Sequence, residues 1–198
     1  MRVTDRVRAR RATKADAAIL KNLQEASLRV LAAEAYDRAA LESFIRHAGT
    51  MDGALIEDGT FFVLELGGEI VACGGWTSRA PSYEAFSLEN AGNAGANRAT
   101  VRSIYVDPGF ARQGLGTRVM QLVERDIAAA AYEESHLTAT LNAMPLYGRL
   151  GYRPSRIVRL ELPDRRVFTG VAMSKPLAAP LAAGTSSDLR TSGLETAL

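Results

Sequence analysis

The stretch that most constrains this chain runs from Val101 to Ala131 and reads strand, turn, glycine-rich loop, helix. Val101 to Val106 has the composition of a strand, and Asp107-Pro108-Gly109 ends it with turn chemistry. A helix is expected from about Gly116 to Ala131. Val119, Met120, Val123 and Ile127 form its apolar stripe, while Arg118, Gln121, Glu124 and Arg125 face away. Between strand and helix lies Phe110-Ala111-Arg112-Gln113-Gly114-Leu115-Gly116-Thr117. A helix start exposes unpaired N–H groups and the positive end of the helix dipole. Glycines there let an anion approach the backbone, so this is a candidate phosphate-binding loop. Two common loops are excluded by spacing. Gly109 and Gly114 have the separation of a P-loop, but Leu115 stands where that motif needs Lys; Gly114-x-Gly116 opens a dinucleotide fingerprint, but Val119 occupies the third glycine position. A plain helix start with two incidental glycines is the alternative, and the loop by itself does not decide.

The rest of the chain fits one mixed α/β domain, as 198 residues suggest. Val7 to Arg11 is expected as a first strand. Thr13 and Asp16 follow as a capping-box-like helix start, with Ile19, Leu20, Leu23, Ser27, Val30 and Leu31 as the inward face. Asp37 to His47 is a second helix. Phe61 to Leu66 and Glu69 to Trp76 form a hairpin through Gly67-Gly68. Residues Arg79 to Thr100 carry Pro, Gly and Asn without a period. They are expected as a long loop with a short helix around Tyr83 to Leu88, shaping a substrate site or merely inserted. His136 to Leu141 is a strand and Met144 to Leu150 a short helix ending at Gly151; Arg156 to Leu162 and Arg166 to Ser174 make a final pair around Pro163-Asp164. The domain thus spans residues 1–175. Residues 176–198, with little to bury, are expected as a tail.

Charge and cysteine narrow the function classes. A formal charge of +2, with no block of Lys and Arg, argues against nucleic acid as a partner; a DNA-associated protein using its basic start is the weakest reading. No apolar run reaches membrane-spanning length, and no signal-peptide pattern opens the chain, so no membrane association and a cytoplasmic location are expected. Cys73 is alone, which excludes an intrachain disulfide and fits a reducing compartment. One cysteine with His47 and His136 suggests neither a metal site nor a cysteine nucleophile with its base.

Two separated segments carry a resemblance. Ile104-Tyr105-Val106-Asp107-Pro108 followed by Arg112-Gln113-Gly114-Leu115-Gly116 resembles the acetyl-CoA-binding motif of the GNAT superfamily of N-acyltransferases. The family pattern opens on Gln or Arg two residues before the first Gly's predecessor; here Ala111 holds that position and the Arg stands at 112. Downstream, Asn142-Ala143-Met144-Pro145-Leu146-Tyr147-Gly148-Arg149-Leu150-Gly151-Tyr152 resembles the segment in which a helix brings a Tyr to the thioester. The element order agrees from Val7 to Ser174.

The resemblance implies a mixed, mostly antiparallel sheet with splayed central strands flanked by helices. It implies acetyl-CoA as co-substrate and no metal. The pantetheine arm would bond to backbone at Ile104 and Val106, the pyrophosphate would rest on Arg112, Gln113, Gly114, Leu115, Gly116 and Thr117, and Asn142 would hold the arm from the other side. An amine would attack the thioester directly in a ternary complex, a backbone N–H near Val106 would meet the oxyanion, and Tyr147 would protonate the leaving thiolate. For Tyr147 the alternative is a packing aromatic. The general base is not readable: Glu34, Glu84 and Glu89 lie in segments that could border the acceptor (Ala32 to Tyr36 and the long loop, with Pro163 to Arg166 the third such segment), but each reads rather as a solvated surface charge, and a water chain could equally serve. The acceptor amine is not readable either, and a homodimer is left open because family members often dimerise. The competing class is a non-catalytic acyl-CoA-binding regulatory module on the same fold.

Overall fold

The computed structural model describes residues 3–48, 53–79, 86–88 and 98–177. Tyr83, Glu84 and Glu89 of the expected loop, and everything after Leu177, lie outside the described residues. In chain order the elements are β1 Arg8–Arg11, α1 Ala17–Leu31, α2 Arg38–His47, α3 Gly53–Glu57, β2 Phe61–Leu66, β3 Glu69–Thr77, β4 Ala99–Val106, α4 Leu115–Ala129, β5 Glu134–Thr140, α5 Met144–Arg149, β6 Arg153–Glu161 and β7 Val167–Pro176. The strands form one sheet in the order β1-β2-β3-β4-β5-β7-β6. Every neighbouring pair is antiparallel except β4 and β5, which are parallel.

The period-2 alternation of the strands distributes the core between two faces. Leu64 and Ala72 point to the face covered by α4, where Val119, Met120, Val123 and Ile127 are buried. Phe61, Val63 and Cys73 point to the opposite face, against Leu20 and Leu23 of α1 and Leu55 of α3. A third cluster packs Leu28, Leu41 and Ile45 from α1 and α2 onto Val158, Leu160 and Phe168 of β6 and β7.

The helix after Thr13 begins as expected, with the Asp16 carboxylate accepting from the Thr13 N–H at 2.7 Å, but its inward face is rotated. Leu20, Leu23, Gln24, Ser27 and Leu28 are buried, whereas Ile19 and Val30 are more than half exposed. Positions i, i+3, i+4, i+7 and i+8 counted from Leu20 make one stripe, and Ile19 and Val30 fall off its two edges. Three local expectations change. The α3 turn, Gly53–Glu57, falls where the sequence reading assigns no element; it exists to seat the fully buried Leu55. Of the expected helix at Tyr83 to Leu88, the described part keeps Phe86 in a 3-10 turn and then departs from it: Ser87 makes an isolated antiparallel bridge to Leu160, and the Leu88 N–H donates to the Arg159 carbonyl at 2.9 Å. Strand β7 runs on through Pro176, and the Leu177 N–H donates to the Glu133 carbonyl at 2.7 Å, so the first two residues of the expected tail belong to the sheet and its core.

Candidate functional site: a fork between two parallel strands

Strands β4 and β5 pair in register only at Ala99↔Ser135 and Thr100↔His136. Beyond that point β4 continues to Val106 and β5 to Thr140 without pairing, so the sheet opens as a fork. At its closed end the Arg98 guanidinium lies 2.6 Å from His136 Nδ1, and Glu134 lies 3.2 Å from His136 Nε2. Burial first, and the Arg98 charge second, hold the His136 pKa below its ordinary value. A neutral ring accepting from Arg98 and donating to Glu134 satisfies both contacts.

A bulge bends β4 away from its neighbour. Cys73 faces Tyr105 and Gly75 faces Arg102, so two residues, Ser103 and Ile104, stand opposite Gly74 alone. Ser103 takes φ of 57°, the left-handed region, which costs a non-glycine residue about 1–3 kcal/mol. Gly74 is required by the close approach: a Cβ there would lie 2.7 Å from Val119 Cγ1 and closer still to the end of the Ile104 side chain. Such bulges re-aim side chains and backbone groups next to functional sites. The pattern of Glu69 to Trp76 predicts a plain strand, and the Gly74-Gly75 pair inside it is the available sequence signal for the bulge.

Beyond Val106, Asp107 caps the turn by accepting from the Gly109 N–H at 2.8 Å. Arg112 (φ 61°) and Gly114 (φ 84°) both turn through the left-handed region, and Gly114 is the N-cap of α4. The first intrahelical bond is Arg118 N–H to Gly114 carbonyl, 3.0 Å, so the amides of Leu115, Gly116 and Thr117 precede the ladder and are unpaired within the helix. Arg112, Gln113 and Gly114 are exposed, Gly116 and Thr117 half-buried, and Leu115 is buried as an anchor. A Cβ on Gly116 would lie 3.1 Å from Leu146 Cδ2 and 3.8 Å from Val106 Cγ2, so the bare backbone of α4 faces both β4 and α5.

The other prong carries Asn142 and Tyr147. Asn142 is exposed in the single turn Leu141–Ala143 that follows β5. Tyr147 lies on α5, 7% exposed, its ring edge-on to Tyr152 at 5.9 Å between centroids. Behind them, the Tyr152 hydroxyl pairs with Ser135 Oγ at 2.7 Å, tying the segment after α5 to β5, and Lys175 Nζ pairs with Glu124 at 2.7 Å, tying β7 to α4. The residues singled out in the sequence therefore flank one fork: Ile104 and Val106 on the first prong, Arg112 to Thr117 at the end of that prong, Asn142 and Tyr147 on the second.

The other expected substrate segments gather on the face of α1 and α2. Tyr36 stacks on Phe168 at 4.3 Å, Phe86 and Tyr105 pack on the same cluster, and Ser43 Oγ donates to Asp164 of the β6–β7 turn at 2.5 Å. Glu34 is exposed and supplies no buried carboxylate there. Cys73 is fully buried, and that burial pushes its thiol up to about 12, the reverse of what a nucleophile needs. Among the described residues no group of three or more His, Cys, Asp and Glu is placed to hold a metal ion, and no helix is long and apolar enough to cross a membrane.

Comparisons with known proteins agree with this arrangement. No curated protein sequence matches the chain significantly. The fold is shared with a GCN5-related N-acetyltransferase from Rhodopseudomonas palustris (TM-score 0.66, 18% identity, covering 86% of this chain and 95% of that one). It is shared too with the PaiA N-acetyltransferase from Thermoplasma acidophilum, solved in complex with coenzyme A (TM-score 0.62, 14% identity, 86% and 98%). A third is the ribosomal-protein-S18-alanine N-acetyltransferase from Escherichia coli (TM-score 0.55, 17% identity, 89% and 97%). At these identities the likeness concerns the fold, while a profile of the acetyltransferase (GNAT) family matches residues 19–152, most of the domain from α1 to the end of α5. The fork, the glycine-started helix and the family match converge, and the chain belongs to the GNAT family of acetyltransferases, enzymes that transfer the acetyl group of acetyl-CoA.

Proposed function

We propose that the chain acetylates an amine by direct attack on acetyl-CoA held in the fork between β4 and β5. The observation that carries the reading is the pairing of β4 with β5, confined to Ala99↔Ser135 and Thr100↔His136, which leaves the backbone of Ile104 and Val106 facing an opening rather than a neighbouring strand. Unpaired strand backbone can bond the amide groups of a pantetheine arm, as it would bond another strand. The pyrophosphate belongs at the α4 start, on the amides around Gly114 to Thr117, where the helix dipole and the exposed Arg112 both favour an anion. The missing side chain of Gly116 fits this use, because a Cβ would crowd Leu146 and Val106 along the path between the prongs. Asn142 supplies an amide side chain from the opposite prong.

In this reading the neutral amine attacks the thioester carbon from the α1/α2 face, and a β4 amide near Val106 meets the charge growing on the carbonyl oxygen. The C–S bond then breaks, Tyr147 gives its hydroxyl proton to the thiolate, and the proton shed by the attacking nitrogen passes to water, from which the phenolate is reprotonated. Direct attack is favoured over an acyl-cysteine because Cys73 is fully buried with its thiol pushed up to about 12. A cytoplasmic location belongs to the same proposal and rests on a lone cysteine and a co-substrate made inside cells. Thiol release from acetyl-CoA, measured against a panel of polyamines, amino acids, aminoglycosides and peptides, tests it. Turnover with at least one amine class is expected. Tight CoA binding without transfer to any of them would refute the catalytic part and leave a binding module.

A further inference from the structure

Strand β5 ends in an unusual way. Its last registered pair with β7 is Thr140↔Gly170, so an uninterrupted ladder would next set Leu141 against Thr169, with the Leu141 N–H bonded directly to the Thr169 carbonyl. Instead a hydroxyl stands between them. The Leu141 N–H donates to Tyr36 Oη at 2.8 Å, and Tyr36 Oη donates to the Thr169 carbonyl at 2.7 Å. Two hydrogen bonds in series replace the single bond of about 2.9 Å that a ladder uses. The chain is thereby held off β7 at Leu141 and turns at once into Leu141–Ala143 and α5.

We propose that Tyr36 is a positioning residue, whose hydroxyl is a spacer in the β5–β7 ladder that sets where β5 ends and so places Asn142 and Tyr147 along the fork. The proposal rests on the donor-site reading above for what those two residues do. Its geometry stands independently. The Tyr36 ring is fixed by stacking on Phe168 (4.3 Å, 10° between planes), which is stacked on its own account with Phe44 at 4.0 Å. The hydroxyl uses one donor and one lone pair on backbone groups of two different strands, so it cannot shift towards one without losing the other. Burial pushes its pKa up to about 12, so at neutral pH it remains the donor that the Thr169 carbonyl requires. Tyr36 itself belongs to the turn between α1 and α2, on the face opposite α4 and α5. One oxygen from the expected acceptor side thus holds the segment that begins the expected donor side.

Tyr36→Phe removes that oxygen and keeps the stacked ring. The Leu141 N–H and Thr169 carbonyl must then either close on each other, which moves Leu141–Ala143, or stay unbonded, which leaves that segment without its tether. Three measurements on the full chain decide: amide exchange at Leu141, amide chemical shifts of Asn142 and Tyr147, and CoA affinity by calorimetry. In Tyr36→Phe the Asn142 and Tyr147 signals should move, the Leu141 amide should either exchange faster or stay protected with a shifted signal, and CoA should bind about tenfold more weakly, the usual order for one lost positioning bond. Phe44→Leu serves as the control. It removes the second stacking partner of Phe168 while the Tyr36–Phe168 pair and both hydroxyl bonds stay in place, so it should lower the melting temperature while leaving the three site readouts as in wild type. Unmoved Asn142 and Tyr147 signals in Tyr36→Phe would overturn the proposal, and so would an equal loss of CoA affinity in Phe44→Leu. Failure of the wild-type chain to bind CoA would instead overturn the donor-site reading, while the exchange and shift data still decide whether Tyr36 is the spacer.

Discussion

Gly116 offers the sharpest test of where the pyrophosphate sits. It lies in the first turn of α4 with ordinary helical backbone, so a side chain there meets no left-handed strain. The contacts of an added Cβ, 3.1 Å to Leu146 Cδ2 and 3.8 Å to Val106 Cγ2, require Leu146 to give by a few tenths of an ångström, and Leu146 is only half-buried. Gly costs about 0.5–1 kcal/mol relative to Ala in mid-helix, and a side chain in this first turn recovers part of that, which offsets some of the crowding. Gly116→Gln and Gly116→Glu should therefore both fold, with melting temperatures within a few degrees of wild type. Their bulk is nearly the same, so the ratio of their CoA affinities isolates charge. A carboxylate ~5 Å from one phosphate charge at an effective dielectric of 20–80 is unfavourable by about 1–3 kcal/mol, or about 5- to 150-fold in Kd. Calorimetry with CoA at low and high salt is the assay: Glu should bind that much more weakly than Gln, and the gap should narrow as salt rises. Equal affinities of the Glu and Gln variants at low salt would refute the placement of the pyrophosphate at this helix start.

Three further outcomes follow from the site and its frame. Tyr147→Phe keeps the edge-on packing against Tyr152 and should leave CoA affinity near wild type while lowering kcat by about 10²–10⁴-fold; a near-normal kcat with chemistry rate-limiting would make Tyr147 a packing residue. Asp16 is held well below the usual carboxylate range, chiefly by its hydrogen bonds to the Arg10 guanidinium (2.7 and 2.9 Å) and next by Thr13. Because the folded state favours the ionised form, its contribution is full above about pH 5 and declines progressively as pH falls below 4 towards the depressed pKa of the folded state. Asp16→Asn should thus lower the melting temperature at pH 7 by several degrees, and the difference should shrink by pH 3; a pH-independent difference would exclude the charge as the cause. Native protein should resist alkylation at Cys73, and Cys73→Ala should keep its kcat, since the thiol is fully buried and pushed up to about 12; rapid labelling together with loss of transfer would reopen an acyl-cysteine route.

The α4 start was legible because its determinants are local. Gly114 and Gly116, the Asp107-Pro108-Gly109 turn and the stripe Val119, Met120, Val123 and Ile127 act within a few residues of chain, and the structure builds the turn, cap and buried face from them. The Gly67-Gly68 hairpin is legible for the same reason, both residues taking the positive φ that a tight turn demands. The identity and order of most elements follow from such periods and turns, and two short motifs in that order were enough to suggest the family that the profile match then showed.

What the sequence could not display depends on contacts between residues far apart in the chain. The bulge at Ser103 arises because Gly74 lets the Ile104 side chain pass, an encounter across strands that no local period records. The exposed Ile19 and Val30 show that an apolar residue near a helix stripe is inward only if the sheet happens to lie beneath it. Tyr36 reads as one aromatic in a turn; its role at the end of β5 exists only because folding brings Leu141 and Thr169, more than a hundred residues later, to either side of its hydroxyl. The pieces and the anion-ready helix start can be read along the chain, since they are properties of a few neighbouring residues. How far the fork opens and what holds its second prong are set by folding, because both depend on which hydrogen-bonding groups of distant segments meet and which are kept apart.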